Sequence, residues 1–258
     1  CMARALWSGA IAFGLVNIPV KLYAATESKD LSFTTLHAAC MTPLKRPYIC
    51  PKDNIPVESK DMVKAYEFAK AQYVIVKEED FDAVPLETSK AIEVAGFVDA
   101  PEISPLLRER NYYLGPEELS LKPFELLRQA LIRTGKIAVA RAVLWKKEQL
   151  VAISPQDGGL VLTTLMYSDE ARPAPEIPAT QPVLISDAEI SLALQLLASM
   201  TMEFDLTKYR DRYRDGLMAI IQAKVEGKEL PAINRVEAKP TQDLMAALKA
   251  SLEVAKAS

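Results

Sequence analysis

The chain is short of the residues that most enzymes and disulfide-stapled folds depend on. It has one histidine, His37, and its cysteines are Cys1, Cys40 and Cys50. Cys1 stands ahead of Met2 and is read as an added residue outside the fold. Two remaining thiols are too few for a disulfide framework, so a reducing cytoplasm is expected. A single histidine disfavours the common acid–base designs. No Walker-type phosphate loop, GxGxxG or GxSxG stretch occurs, and no carboxylate pair follows a nuclease or glycosidase pattern. The expectation is therefore no catalytic residues and no cofactor. No apolar run reaches the ~18 residues of a membrane span. No basic stretch leads into an apolar run at the start, so no signal peptide and no membrane partner are expected.

A strong excess of one charge is also lacking, since the formal net charge is −3. The total hides a segregation. Residues 122–147 hold Lys122, Arg128, Arg133, Lys136, Arg141, Lys146 and Lys147 against Glu125 alone. That segment carries +6, which leaves −9 for the rest of the chain. A ligand responds to the local field, so a basic surface is compatible with an acidic total.

Short apolar, β-branched pieces open the chain: Ala5 to Trp7, Ala10 to Leu15 and Ile18 to Tyr23, punctuated by Gly9, Gly14 and Pro19. Residues 28–71 are polar and mixed and contain Pro43, Pro47, Pro51 and Pro56, which predicts a long excursion from the core. Strands are expected to resume at Tyr73 to Val76, Ala91 to Val98 and Asn111 to Leu114. Pro123 to Thr134 has helical spacing at Phe124, Leu127, Ala130 and Leu131, with Gly135 placed as a C-terminal cap. Ile137 to Trp145, Leu150 to Ile153 and Leu160 to Met166 read as further strands. Many short strands with one inserted helix predict a mixed β and α fold built on a β-barrel or sandwich.

Residues 173–185 form a proline-rich linker. Beyond it, Ser186-x-x-Glu189 is a capping box ahead of an apolar stripe. A second helix is expected from about Leu206 to Glu226, with Tyr209, Tyr213 and Leu217 on one face and Gly227 at its end. Residues 186–228 thus make a helical arm, and wide apolar faces held off the barrel need a partner. Ile190, Leu194, Leu197, Tyr209, Tyr213 and Leu217 are the candidate dimer contacts, with helices exchanged between subunits. Residues 229–258 form a tail whose Leu244, Met245, Leu248 and Leu252 mark a short amphipathic helix.

The run Arg4-Ala5-Leu6-Trp7-Ser8-Gly9-Ala10-Ile11-Ala12-Phe13-Gly14-Leu15-Val16-Asn17-Ile18-Pro19 resembles the opening of bacterial Ku proteins. Similar stretches follow in order at Lys64 to Phe68, Tyr73 to Asp80, Arg110 to Leu114, Ala130 to Arg141 and Phe204 to Lys228. The chain departs at Ala65, where the family usually has glycine, and lacks the Lys-rich tail that some members carry. The resemblance implies a β-barrel core over residues 2–172 whose long insertion is a bridge, so that a homodimer closes a ring around duplex DNA. It implies a bacterial, nucleoid-associated protein that threads onto DNA ends without reading sequence. It also implies recruitment of the ATP-dependent DNA ligase of end joining through the tail, with Leu244, Met245 and Leu248 as anchors. A β-barrel enzyme of nucleic-acid metabolism is the alternative.

Backbone-only DNA binding needs cations at phosphate spacing. The bridge candidates are Lys45, Arg46, Lys52, Lys60, Lys64 and Lys70, and the barrel candidates are Lys21, Arg133, Lys136, Arg141 and Lys146. His37-x-x-Cys40 with Cys50-x-x-Asp53 has the spacing of a four-ligand zinc knuckle, with an aspartate in the last place. Some Ku family members resemble a fuller version with cysteine there. The expected state here is a lapsed site with two free thiols, and no metal is assigned; the alternative is a retained zinc that stiffens a bridge too thin to have its own core.

Overall fold

The computed structural model describes residues 4–83, 90–156, 158–172, 184–228, 247–248 and 250–253. The chain divides into two units, residues 1–173 and 174–258.

The first unit is built on a closed seven-stranded barrel. Strands β1 (Trp7–Phe13) and β2 (Val16–Ala24) form a hairpin turned at Gly14, which takes φ 57°. Gly9 does not interrupt β1 as expected. It lies within the strand, paired with Val20, and a Cβ there would collide with the Trp7 ring and the Lys90 carbonyl, so the position requires glycine. In β2, Ile18, Val20 and Leu22 alternate inward and are fully buried. Pro19 brings no N–H, and its carbonyl accepts from the buried Ser120 Oγ at 2.6 Å and the Glu117 N–H at 3.1 Å.

The chain then leaves the barrel. It forms β3 (Tyr48–Ile49) with β4 (Pro56–Val57), then β5 (Lys64–Ala69) with β6 (Gln72–Val76), then the short helix α1 (Glu78–Asp82). The strand expected at Tyr73 to Val76 is present, but it pairs with β5 and not with the barrel. The barrel is re-entered only at β7 (Ala91–Asp99), so the excursion outlasts the expected 28–71.

Strand β8 (Arg108–Pro116) leads to α2 (Leu121–Thr134), which Gly135 ends in the left-handed region at φ 66°. Strands β9 (Lys136–Leu144), β10 (Lys147–Gln156) and β11 (Gly159–Leu165) complete the order β1-β2-β8-β11-β10-β9-β7. Only the β1–β7 closure is parallel. The interior is filled by Ile11, Tyr112, Leu114, Ala138, Ala140, Ala142, Leu144, Ile153, Leu160 and Leu162, with Phe124, Leu127 and Leu131 of α2 packed into the same core. Ala130, expected on that buried face, is exposed.

Strand directions place every part at one of two barrel ends. Helix α2, the β1–β2 turn and Lys136 lie at one end. The excursion leaves after Ala24 and returns at Ala91 at the other, where the β9–β10 turn also lies.

The second unit holds α3 (Asp187–Met200) and α4 (Arg212–Val225). The capping box forms as expected: Ser186 N–H donates to Glu189 Oε2 at 2.7 Å, and Glu189 N–H to Ser186 Oγ at 3.3 Å. The second helix starts later than expected. Asp211 caps it by accepting the Arg214 N–H at 2.9 Å, which leaves Tyr209 in extended backbone, stacked on Phe204 at 5.6 Å. Tyr209 and Tyr213 therefore do not share a helix face. In the tail, Ala247, Leu248 and residues 250–253 are helical, while Leu244 and Met245 lie outside the described residues.

Candidate nucleic-acid interface

From residue 25 to residue 81 no residue is buried. Its hairpins present Tyr48, Tyr66, Phe68 and Tyr73 to solvent, each more than half exposed. An isolated two-stranded hairpin is marginal in water, and among the described residues these surfaces have no second layer. The cations ride on this frame. Lys45, Arg46, Lys52 and Lys70 form no ion pair among the described residues, and neither do Lys122 and Arg133 of α2 at the opposite barrel end. Lys64 donates to Glu78 Oε1 at 2.8 Å and sits 5.2 Å over the Phe81 ring. Lys60 pairs with Glu58 at 2.8 Å.

Lys146 joins this group from the barrel. It lies in the β9–β10 turn, where Trp145 and Lys146 both take positive φ, 51° and 65°. Such turns usually use Asn and Gly. Here the Trp145 ring packs on Tyr112, tilted by 42° with centroids 5.3 Å apart, and holds the turn at the excursion end. Lys146 acts on Glu78: that carboxyl is held below its ordinary value first by the Lys64 hydrogen bond and charge, and also by Lys146.

The remaining barrel cations lie elsewhere. Lys136 opens β9 at the α2 end, bonded to Asp99 at 2.9 Å, and is roughly 26 Å from the end of that strand at ~3.3 Å per residue. Arg133 is at the same end as Lys136, and Arg141 and Lys21 are on the outer wall. Lys21 faces Glu117 at 3.8 Å. The basic segment 122–147 is thus not one patch, because β9 carries it from one barrel end to the other.

The zinc-knuckle spacing folds into two matching turns. In each, the first residue's N–H donates to the carbonyl five residues on, His37 to Thr42 and Cys50 to Ile55, both at 2.9 Å. The fifth residue's N–H returns to the first carbonyl, Met41 to His37 at 2.7 Å and Asn54 to Cys50 at 2.8 Å. Met41 and Asn54 both take left-handed φ, 55° and 56°. Within each turn the polar atoms satisfy one another, His37 Nδ1 and Cys40 Sγ at 3.1 Å and Cys50 Sγ donating to Asp53 Oδ2 at 3.4 Å. Hydrogen bonds from the Thr42 side chain and backbone hold the Cys40 thiol below its ordinary value. Among the described residues no three such groups converge as metal ligands do. As placed, the spacing makes two self-contained pairs that do not converge into one four-ligand set.

The dimer candidates Ile190, Leu194, Leu197, Tyr209 and Tyr213 are exposed and Leu217 is half-buried. Among the described residues no helix is long and apolar enough to cross a membrane.

A closed barrel capped by one helix, with a long coreless cation-bearing excursion at the other end, defines the class: a β-barrel scaffold with an exposed insertion. Residues 12–192 match the family model described as Ku: Ku70/Ku80 beta-barrel domain, and the chain belongs to this family. It is 41% identical over 261 residues to the non-homologous end joining protein Ku of Symbiobacterium thermophilum, covering 98% of this chain and 64% of that protein. It is 39% identical over 254 residues to the protein of the same name from Archaeoglobus fulgidus, covering 98% of this chain and all of that one. The Bacillus subtilis protein of that name is 36% identical over 253 residues, covering 96% and 81%. The chain therefore spans the full length of some relatives and just under two thirds of others.

Proposed function

We propose that this chain binds the ends of broken duplex DNA without sequence preference, as a homodimeric ring that a free end must thread, and that it carries out no chemistry itself. The coreless excursion carries the proposal. It leaves and re-enters the barrel at the end where Lys146 stands, exposes both faces, and carries Lys45, Arg46, Lys52, Lys64 and Lys70. We assign phosphate contact to these six, with Lys21 and Arg141 flanking on the outer wall. Arg133 and Lys136 belong to the far end and contribute less. The second unit supplies the dimer contacts through Ile190, Leu194, Leu197, Tyr209, Tyr213 and Leu217. The tail, with Leu244, Met245 and Leu248, recruits an ATP-dependent ligase in the manner of a helix entering a groove.

The test compares linear DNA with the same DNA covalently closed, at moderate salt. Binding confined to the linear form is expected. Equal binding to closed circles would leave only a generic basic surface. Truncation after Gly227 should keep end binding and abolish stimulation of the cognate ligase, and full stimulation by the truncated protein would refute the recruitment role.

A further inference from the structure

The β9–β10 turn carries a side chain that the phosphate contacts assigned above leave unused. Leu144 pairs with Lys147, so the connection is the two residues Trp145 and Lys146. Both take positive φ, a conformation in which a bulky residue is a genuine outlier. Such outliers gather where a side chain has a use that the backbone alone does not explain. Packing explains part of it. The indole rests on Tyr112, itself 7% exposed, and this contact sets its direction. Trp145 nevertheless stays 49% exposed, whereas Trp7 is half-buried against the barrel core. Lys146 and Lys147 follow it directly, both exposed and neither in an ion pair among the described residues. The turn thus presents an oriented, half-open aromatic ring with two cations beside it.

Phosphate contact accounts for the lysines and not for the ring. In a duplex the base faces are stacked on one another and only their edges reach the grooves, so a surface indole has no base face to meet. An unpaired nucleotide offers one. An aromatic face beside cations is the arrangement that holds single strands, the ring stacking on a base and the cations taking the phosphates on either side. Every base has such a face, so the contact adds affinity without reading sequence. A broken duplex with one strand longer than the other supplies unpaired nucleotides at its end. We propose that Trp145 is a stacking platform for an unpaired nucleobase at the DNA end, with Lys146 and Lys147 on the flanking phosphates. This rests on the end-binding reading and adds to it a preference for ends that carry an overhang.

The test titrates the full chain onto a labelled blunt duplex and onto the same duplex with a short thymidine overhang on the 3′ or the 5′ strand. Anisotropy of the label reports affinity, and tryptophan emission reports the contact. At least one overhanging end should bind about tenfold more tightly than the blunt one. It should also quench the tryptophan emission more strongly. Trp145→Ala should lower overhang affinity to the blunt level and leave blunt-end affinity unchanged. Trp145→Phe, which keeps an aromatic face on Tyr112, should retain part of the preference and lose the extra quenching. Circular dichroism checks both folds. If Trp145→Ala does not fold, the quenching in the unaltered chain and its loss in Trp145→Phe decide. Equal binding of blunt and overhanging ends by the unaltered chain would overturn the platform while end binding stands. So would a preference that survives Trp145→Ala, or equal quenching by all three DNAs. An equal loss on all three DNAs in a folded Trp145→Ala would place the ring on the duplex and also overturn the proposal. Failure of the unaltered chain to bind any end would overturn both readings.

Discussion

The barrel and its excursion are one continuous chain under opposite physical regimes. The barrel alternates apolar and polar residues, closes every strand edge, and receives α2 into its interior core. The excursion has comparable side chains, among them Tyr66, Phe68, Val74 and Ile75, yet leaves them all exposed. Apolar composition alone does not make a core. A surface is buried only when a second layer reaches it. The barrel supplies its own second layer, and the excursion has none among the described residues.

Truncating the core should produce the largest effect. Leu162 is fully buried in β11, so Leu162→Ala should cost about 2–5 kcal/mol. Tyr66→Ala, at 66% exposure, should cost under ~1 kcal/mol in the unliganded protein. Denaturant midpoints check both, and equal losses would erase the distinction. Next comes Gly9→Ala, which forces a methyl against Trp7 and the Lys90 carbonyl and should cost about 1–3 kcal/mol.

For DNA, removing one cation that touches a phosphate should reduce the slope of log affinity against log salt by ~0.9. Replacing Lys45, Arg46 and Lys52 by alanine should therefore flatten the slope more than replacing Arg133, Lys136 and Arg141. The reverse result would move the interface to the α2 end.

The smallest effect is electrostatic and belongs to α2. Hydrogen bonds, first from Arg128 at 2.7 Å and then from Gln129 at 2.8 Å, hold the Glu125 carboxyl at about 2 against its ordinary 4.5. A depressed carboxylate contributes stability above its unfolded value and loses it as pH falls through the folded one. The melting temperature should therefore decline between pH 4.5 and 2 less steeply in Glu125→Gln than in the unaltered chain. Parallel declines would show that the pair contributes nothing.

Local signals are legible in the sequence and non-local ones are not. Ile18, Val20 and Leu22 announce β2, Ser186 and Glu189 announce α3, and Gly135 closes α2. Each depends on neighbours within a few residues. Gly9 reads as a break in the sequence, because the ring that fills its Cβ space becomes visible only in three dimensions. The strand at Tyr73 is recognisable, but its partner is not, since pairing with β5 or with the barrel leaves the same alternation. The Trp145–Lys146 turn has no Asn or Gly to advertise it and is fixed by Tyr112, distant in sequence. Asp211 is a legible cap for α4, and a cap at that position places Tyr209 outside the helix. For the cations, the sequence shows a basic run, but only strand direction reveals that the run reaches both barrel ends.

The central claim is topological, and trapping tests it most directly. The protein is loaded onto linear DNA biotinylated at both ends, streptavidin is added, and salt is raised until backbone contacts fail. A threaded ring should stay on the blocked DNA and leave DNA whose ends are open. Equal release from both would show that the excursion lies on DNA without enclosing it.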